Sequence, residues 1–136
     1  MDRIELNPIG KVKSKYEKLD IIPANGWDSD NISKIIVFPR YVDGLMGLNE
    51  KMLIHVLWWF DKAPRNILKN YIKPNDERET GVFAMRSPHR PNPIALSLCE
   101  IISISKNIIE VRGLEALDGS PILDIKKAII NNQIIL

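Results

Sequence analysis

Arg86, Ser87, His89, Arg90 and Asn92 crowd five polar side chains into seven positions. Pro88, Pro91 and Pro93 are interleaved with them. A guanidinium can grip a carboxylate or phosphate with two parallel bonds. An imidazole can exchange a proton near neutral pH. Each proline fixes its own φ and pushes the residue before it to an extended conformation. The segment therefore cannot be helical. It holds its polar groups in a nearly fixed fan that loses little entropy on ordering, which favours a binding site over a solvated proline-rich turn.

Other residues with chemical potential are more scattered. His55 lies in the apolar run Leu53–Phe60, where a lone histidine is commonly a satisfied core residue. Asp118 and Gly119 form a turn signal, and a plain hairpin turn is the simplest account of them. Cys99 is the single cysteine and falls in a strand pattern, so it reads as buried core rather than nucleophile. One cysteine excludes an internal disulfide framework and fits a reducing cytoplasm.

The elements that must position these groups are mostly strands. Gly81–Met85 is a short apolar run that reads as β before the proline elbow. After the elbow, Ile94, Leu96 and Leu98 alternate with Ala95, Ser97 and Cys99, a period of two. Segments 4–6 and 9–13 suggest a first strand, and Lys34–Phe38 a second, stopped by Pro39. Arg40–Asn49 suits a short helical turn. Leu53–Phe60, the most apolar run, reads as a central strand touching core on both sides, with Trp58 and Trp59 on opposite faces. Ala63–Thr80 is a polar excursion or lid. Lys106-Asn107 is a turn before a strand at Ile108–Val111, and Ile122–Ile125 follows the Asp118-Gly119 turn. Trp27, within the irregular stretch 14–30, reads as a cap on the core. About seven short strands with little helix give a mainly β fold. A single compact barrel of six to seven strands spanning residues 1–136 is the expected form, since closure leaves no open edges.

The 136 residues carry 19 basic and 17 acidic side chains, a net charge of +2. That balance neither demands nor excludes a nucleic-acid partner, so RNA binding would need a local patch. Lys11, Lys13, Lys15 and Lys18 form one candidate; Arg65, Lys69 and Lys73 another; Arg78, Arg86 and Arg90 a third. No apolar run approaches the roughly 18 residues of a transmembrane helix, and no signal peptide pattern opens the chain. A cytoplasmic protein is expected.

The run GVFAMRSPHRPNPIALS, residues 81–97, resembles the signature of the TsaA-like, or TrmO, family of tRNA methyltransferases. Met85 stands where threonine is usual there, and Ala95 where glycine is usual. Residues 8–14 (PIGKVKS), the stretch from Tyr41 to His55, and residues 117–126 (LDGSPILDIK) resemble further family segments, so the likeness spans nearly the whole chain. It implies a compact β-barrel with a few short helices. It implies methyl transfer from S-adenosylmethionine to N6 of threonylcarbamoyladenosine beside the anticodon of tRNA. That reaction brings its own leaving group and needs no metal.

By this resemblance Arg86, Leu98, Asp118, Gly119, Ser120 and Pro121 contact the cofactor, Leu98 through its backbone. Pro23 aligns with a cofactor-touching Pro-Arg-Gln segment, but Ala24 and Asn25 replace its arginine and glutamine. Asp61 replaces a histidine usual after the central strand. Arg90, His89 and Asn92 are candidates for holding the substrate. Locking of the elbow is favoured for Asn92, and Arg90 is left even between the two roles. Asp118 and His55 are candidates for the catalytic proton acceptor, with the true base unassigned. The resemblance also implies a homodimer. Two alternatives stay open: a sensor that binds S-adenosylmethionine or an adenosine compound without catalysis, and a methyltransferase with a non-RNA substrate.

Overall fold

The computed structural model describes residues 3–17, 31–61, 63–71, 76–130 and 133–134. Ten strands occur among them. They are β1 (Gly10–Lys13), β2 (Ile32–Val37), β3 (Leu53–Trp59), β4 (Lys69–Tyr71), β5 (Glu79–Gly81), β6 (Ile94–Ser105), β7 (Ile108–Arg112), β8 (Pro121–Lys127), β9 (Ile129–Ile130) and β10 (Gln133–Ile134). Six close into an antiparallel barrel in the order β1-β2-β7-β6-β3-β8, and β4-β5 and β9-β10 form separate two-stranded ribbons. The expected β-barrel is therefore present, with two 3₁₀ segments at Pro39–Leu45 and Val82–Ala84. No described helix is long and apolar enough to cross a membrane.

Alternation along the strands decides what fills the barrel. Val12, Ile35, Val37, Ile54, Val56, Trp58, Cys99, Ile101, Ile109, Val111 and Ile122 point inward and are buried. In β3 the pattern is strict, with Ile54, Val56 and Trp58 inside and Leu53, His55, Leu57 and Trp59 half-buried outside. The central strand thus meets core on one face, because a barrel has one interior. Trp58 and Trp59 do take opposite faces.

Three expectations are corrected. The first strand begins at Gly10, and residues 4–6 join no ladder; Pro8, lacking an N–H, stands between them. The run Gly81–Met85 is not a strand. Only Glu79–Gly81 pairs, with β4, and the chain then makes one turn of 3₁₀ helix, closed by the Met85 N–H donating to the Val82 carbonyl at 3.2 Å. The Asp118-Gly119 turn is not a hairpin between neighbours. β7 lies between β2 and β6, whereas β8 lies between β3 and β1. The link 113–120 crosses the barrel end, where Leu114 and Ala116 are buried as a plug. It starts at Gly113, whose φ of 100° and close packing on the Leu98 carbonyl leave no room for a Cβ. Trp27 and Pro23 lie outside the described residues.

Cys99 sits in this core as expected. Burial first, then the negative charge of Glu115, push its thiol from the ordinary 9.0 up to about 12. Above about pH 9 the unfolded chain releases this proton while the folded chain keeps it. Stability from this group is complete below pH 9 and is lost as the pH rises toward 12. We expect denaturant midpoints to fall over that range and a Cys99→Ala variant to fall less steeply. Parallel pH profiles for the two proteins would refute this.

Candidate active site

Two cavities meet on the buried Trp58 and the half-buried Phe60. The ring centroids are 5.4 Å apart and the planes tilted by 34°. The larger cavity, about 860 Å³, is lined by this pair, Phe83, the elbow, residues 94–97 and Glu115. The smaller, about 110 Å³, is lined by the same pair with Glu17, Asp61 and Leu117–Pro121. Trp58 is held by its indole N–H donating to Ser97 Oγ at 3.0 Å, a buried bond between facing strands. It therefore stands as a fixed partition.

The elbow is locked from within. Arg90 Nη1 donates to the carbonyls of Met85 and Ser87, both at 3.1 Å. The His89 N–H donates to Ser87 Oγ at 3.2 Å. At the far end the buried Pro93 accepts from the Phe60 N–H at 2.8 Å, which ties the elbow to the end of β3. Arg86 donates through Nη2 to the Leu96 carbonyl at 3.0 Å, and its guanidinium lies in the cavity wall. Through these bonds Arg90 braces the elbow with Nη1. It also lines the larger cavity, as do Arg86, Ser87 and Asn92. His89 does not line either cavity.

The turn at the smaller cavity is equally fixed. Asp118 Oδ1 accepts the Ser14 N–H at 3.0 Å, and the Asp118 N–H donates to the Tyr16 carbonyl at 2.8 Å. The Gly119 N–H donates to the Val12 carbonyl at 2.8 Å, and Ser120 Oγ donates to the Leu117 carbonyl at 2.7 Å. Gly119 has a φ of 84°, a conformation that favours glycine. The structure thus brings Asp118, Gly119, Ser120, Pro121 and Asp61 to one cavity, with Arg86, Arg90 and Asn92 at its neighbour.

Two candidates fall elsewhere. His55 is on the outer face of β3, opposite Leu98 on one side and Lys126 on the other. Leu98, likewise outward, lines neither cavity. Alternation explains both, since their inward neighbours Ile54, Val56, Ser97 and Cys99 occupy the interior.

Two residues of the site had no local sequence signal. Glu115 is the carboxylate among the residues lining the larger cavity, carried there by the link that crosses the barrel end. Arg65 reaches the elbow from the loop after β3, donating through Nε to the Pro91 carbonyl at 2.7 Å and through Nη2 to Asn92 Oδ1 at 3.3 Å. In the sequence Arg65 reads only as part of a basic patch with Lys69 and Lys73.

The family described as the tRNA-methyltransferase O N-terminal domain matches residues 11–131. The chain belongs to this TrmO, or TsaA-like, family. An S-adenosyl-L-methionine-binding protein of Archaeoglobus fulgidus is 47% identical over 90% of this chain and 87% of its own. A relative in Methanothermobacter thermautotrophicus, named a probable S-adenosyl-L-methionine-binding protein, is 43% identical over 90% of this chain and 88% of its own. The crystal structure of TrmO from Pseudomonas aeruginosa superposes with a TM-score of 0.76 at 27% identity. It matches 93% of this chain, which spans only 56% of that TrmO chain.

Proposed function

We propose that this protein is an S-adenosylmethionine-dependent methyltransferase acting on N6 of threonylcarbamoyladenosine beside the anticodon in tRNA. The observation that carries the reading is the shared aromatic partition. It sets a backbone-lined slot with Asp118–Pro121 against a larger cavity rimmed by guanidiniums.

The residues present fit the cofactor. Arg86 offers a guanidinium suited to its carboxylate. The glycine turn allows close backbone approach, and Asp118 and Asp61 suit hydroxyl and amino donors. Trp58 and Phe60 give an apolar wall for a flat base. When bound, S-adenosylmethionine supplies a methyl group on a positively charged sulfur that leaves as a neutral thioether. The chain's task is then alignment and exclusion of water. Glu115 accepts the N6 proton in this reading, being the carboxylate of the larger cavity. His55 has no part in it, since it faces away.

Arg86→Ala should weaken S-adenosylmethionine binding by about 1.5–3 kcal/mol, the worth of a hydrogen bond to a charged group. Calorimetry should read this as a loss of roughly 10- to 150-fold in affinity. No heat with the wild-type protein would count against every methyl-transfer reading.

Substrate choice follows from charge. The threonyl carboxylate is the anion that the modification adds at the base edge, and Arg90 lines the cavity beside it. A pocket built to pair that carboxylate rejects adenosine lacking it. Labelled S-adenosylmethionine should therefore mark tRNA carrying threonylcarbamoyladenosine and leave tRNA without it unmarked. Equal labelling would remove carboxylate recognition. Cofactor binding without any labelling would favour the sensor or a non-RNA substrate.

We also propose a homodimer. Leu57 faces Leu96 and Trp59 faces Ile94 on the outside of the barrel, an apolar stripe that a second copy would cover. Ile94 and Leu96 are 41% and 46% exposed, and Phe83 beside them is 80% exposed. All three line the larger cavity, so such a contact would lie at the rim of the site. Light scattering should give twice the mass of one chain, and Leu96→Glu should halve it. A wild-type monomer at working concentrations would defeat the proposal.

A further inference from the structure

Arg65 is exposed, in the loop after β3, yet it makes three directed contacts with structured parts of the site. Its Nε and Nη2 form the fork to the Pro91 carbonyl and Asn92 Oδ1. Its Cζ lies 5.3 Å from the centre of the Trp59 ring, within cation–π range. Trp59 ends β3 and pairs with Ile94, the first residue after the elbow. The guanidinium therefore joins the elbow's tip to the rigid strand pair from which the elbow departs. Among the described residues, no other side chain outside the elbow bonds to Pro91 or to the Asn92 side chain. The remaining ties hold other points: Arg90 secures Met85 and Ser87, and Phe60 secures Pro93.

We infer that Arg65 is a positioning residue that fixes the Pro91–Asn92 wall of the larger cavity at the spacing the substrate base requires. This rests on the methyltransferase reading above. The fork matters because one planar group meets two acceptors while its charge sits within cation–π range of the Trp59 ring. A lysine can satisfy one acceptor as a point donor but cannot fork. Because Arg65 is exposed, its loss costs little stability. A wall displaced by about 1 Å can still cost on the order of 10²-fold in rate.

The test compares the full-length wild type with Arg65→Ala, Arg65→Lys, Asn92→Ala and the Arg65→Ala/Asn92→Ala double variant. We expect Arg65→Ala to keep its melting temperature and to hold S-adenosylmethionine affinity within about two-fold. Its kcat for tRNA methylation should fall about 10- to 100-fold. Arg65→Lys should recover little of that rate. The double variant should be no slower than the slower single variant, because the two residues act as one unit. Hydrogen exchange at the His89, Arg90 and Asn92 amides should quicken in Arg65→Ala. Wild-type kcat in either single Arg65 variant, an additive double variant, or a rate loss that tracks a drop in melting temperature would overturn the inference. Should the wild type methylate no tRNA, the methyltransferase reading fails on that control. Exchange then decides: quickened amides support the clamp, and unchanged amides overturn it.

Discussion

The hydrogen bond from Trp58 to Ser97 fixes what the rest of the site depends on. It runs between β3 and β6 inside the barrel, with Trp58 opposite Ala95 and Val56 opposite Ser97. A one-residue slip of that register would move every side chain of β3 to the other face. Trp58 would leave the interior, and the two cavities would lose their common wall. A buried indole N–H without an acceptor is costly, so the register with Ser97 opposed is strongly selected. The same pairing sets the exit point of the elbow at Ile94. Site geometry is thus inherited from one strand pair.

The elbow supplies the second constraint, and it is covalent before it is electrostatic. Three prolines restrict the backbone before any contact forms. Arg90 then spends Nη1 on two carbonyls within the segment, and Asn92 receives Arg65. Side chains that look like a cluster of ligand-binding groups therefore divide between scaffold and contact. Arg86 reaches the Leu96 carbonyl with one nitrogen while lining the cavity. Such preorganisation moves the ordering cost from the binding step to folding.

Much of this was legible in the sequence where the signal was local. Leu53–Phe60 announced a strand by composition, and the prolines announced the elbow. The sense of alternation in β6 was not legible. Its large apolar residues Ile94 and Leu96 face outward, while Ala95, Ser97 and Cys99 face inward. Period alone cannot say which face is the core when small residues must make room for a tryptophan. Gly81–Met85 had strand-like composition, but among the described residues the ladder with β4 ends at Gly81 and only the Val82 N–H bonds further, to the Leu68 carbonyl. Arg65 was invisible because it lies 26 residues from Pro91, to which it bonds, and Glu115 because it lies 18 residues from Ser97, with which it shares the larger cavity. Only barrel closure and the link across its end bring them in. His55 misled for the opposite reason: its residue type suggested chemistry, and its parity placed it outside.

The departures from the family's signature acquire a meaning from where they fall. Met85 and Ala95, which replace threonine and glycine, both line the larger cavity. Each substitution adds volume, and the first also removes a hydroxyl. Asp61, where a histidine is usual, lines the smaller cavity at its exposed edge. The turn Asp118–Pro121 keeps its pattern save serine for threonine, and its backbone bonds to Val12 and Tyr16 do not depend on side-chain identity. Two of these departures thus fall in the larger cavity and one in the smaller. The slot formed by backbone retains its form, because a ligand held by main-chain groups constrains conformation more than residue type. Adding a methylene or a thioether to an apolar wall shifts discrimination by only about 1–3 kcal/mol. The guanidiniums of the elbow, which are unchanged, would carry the larger share.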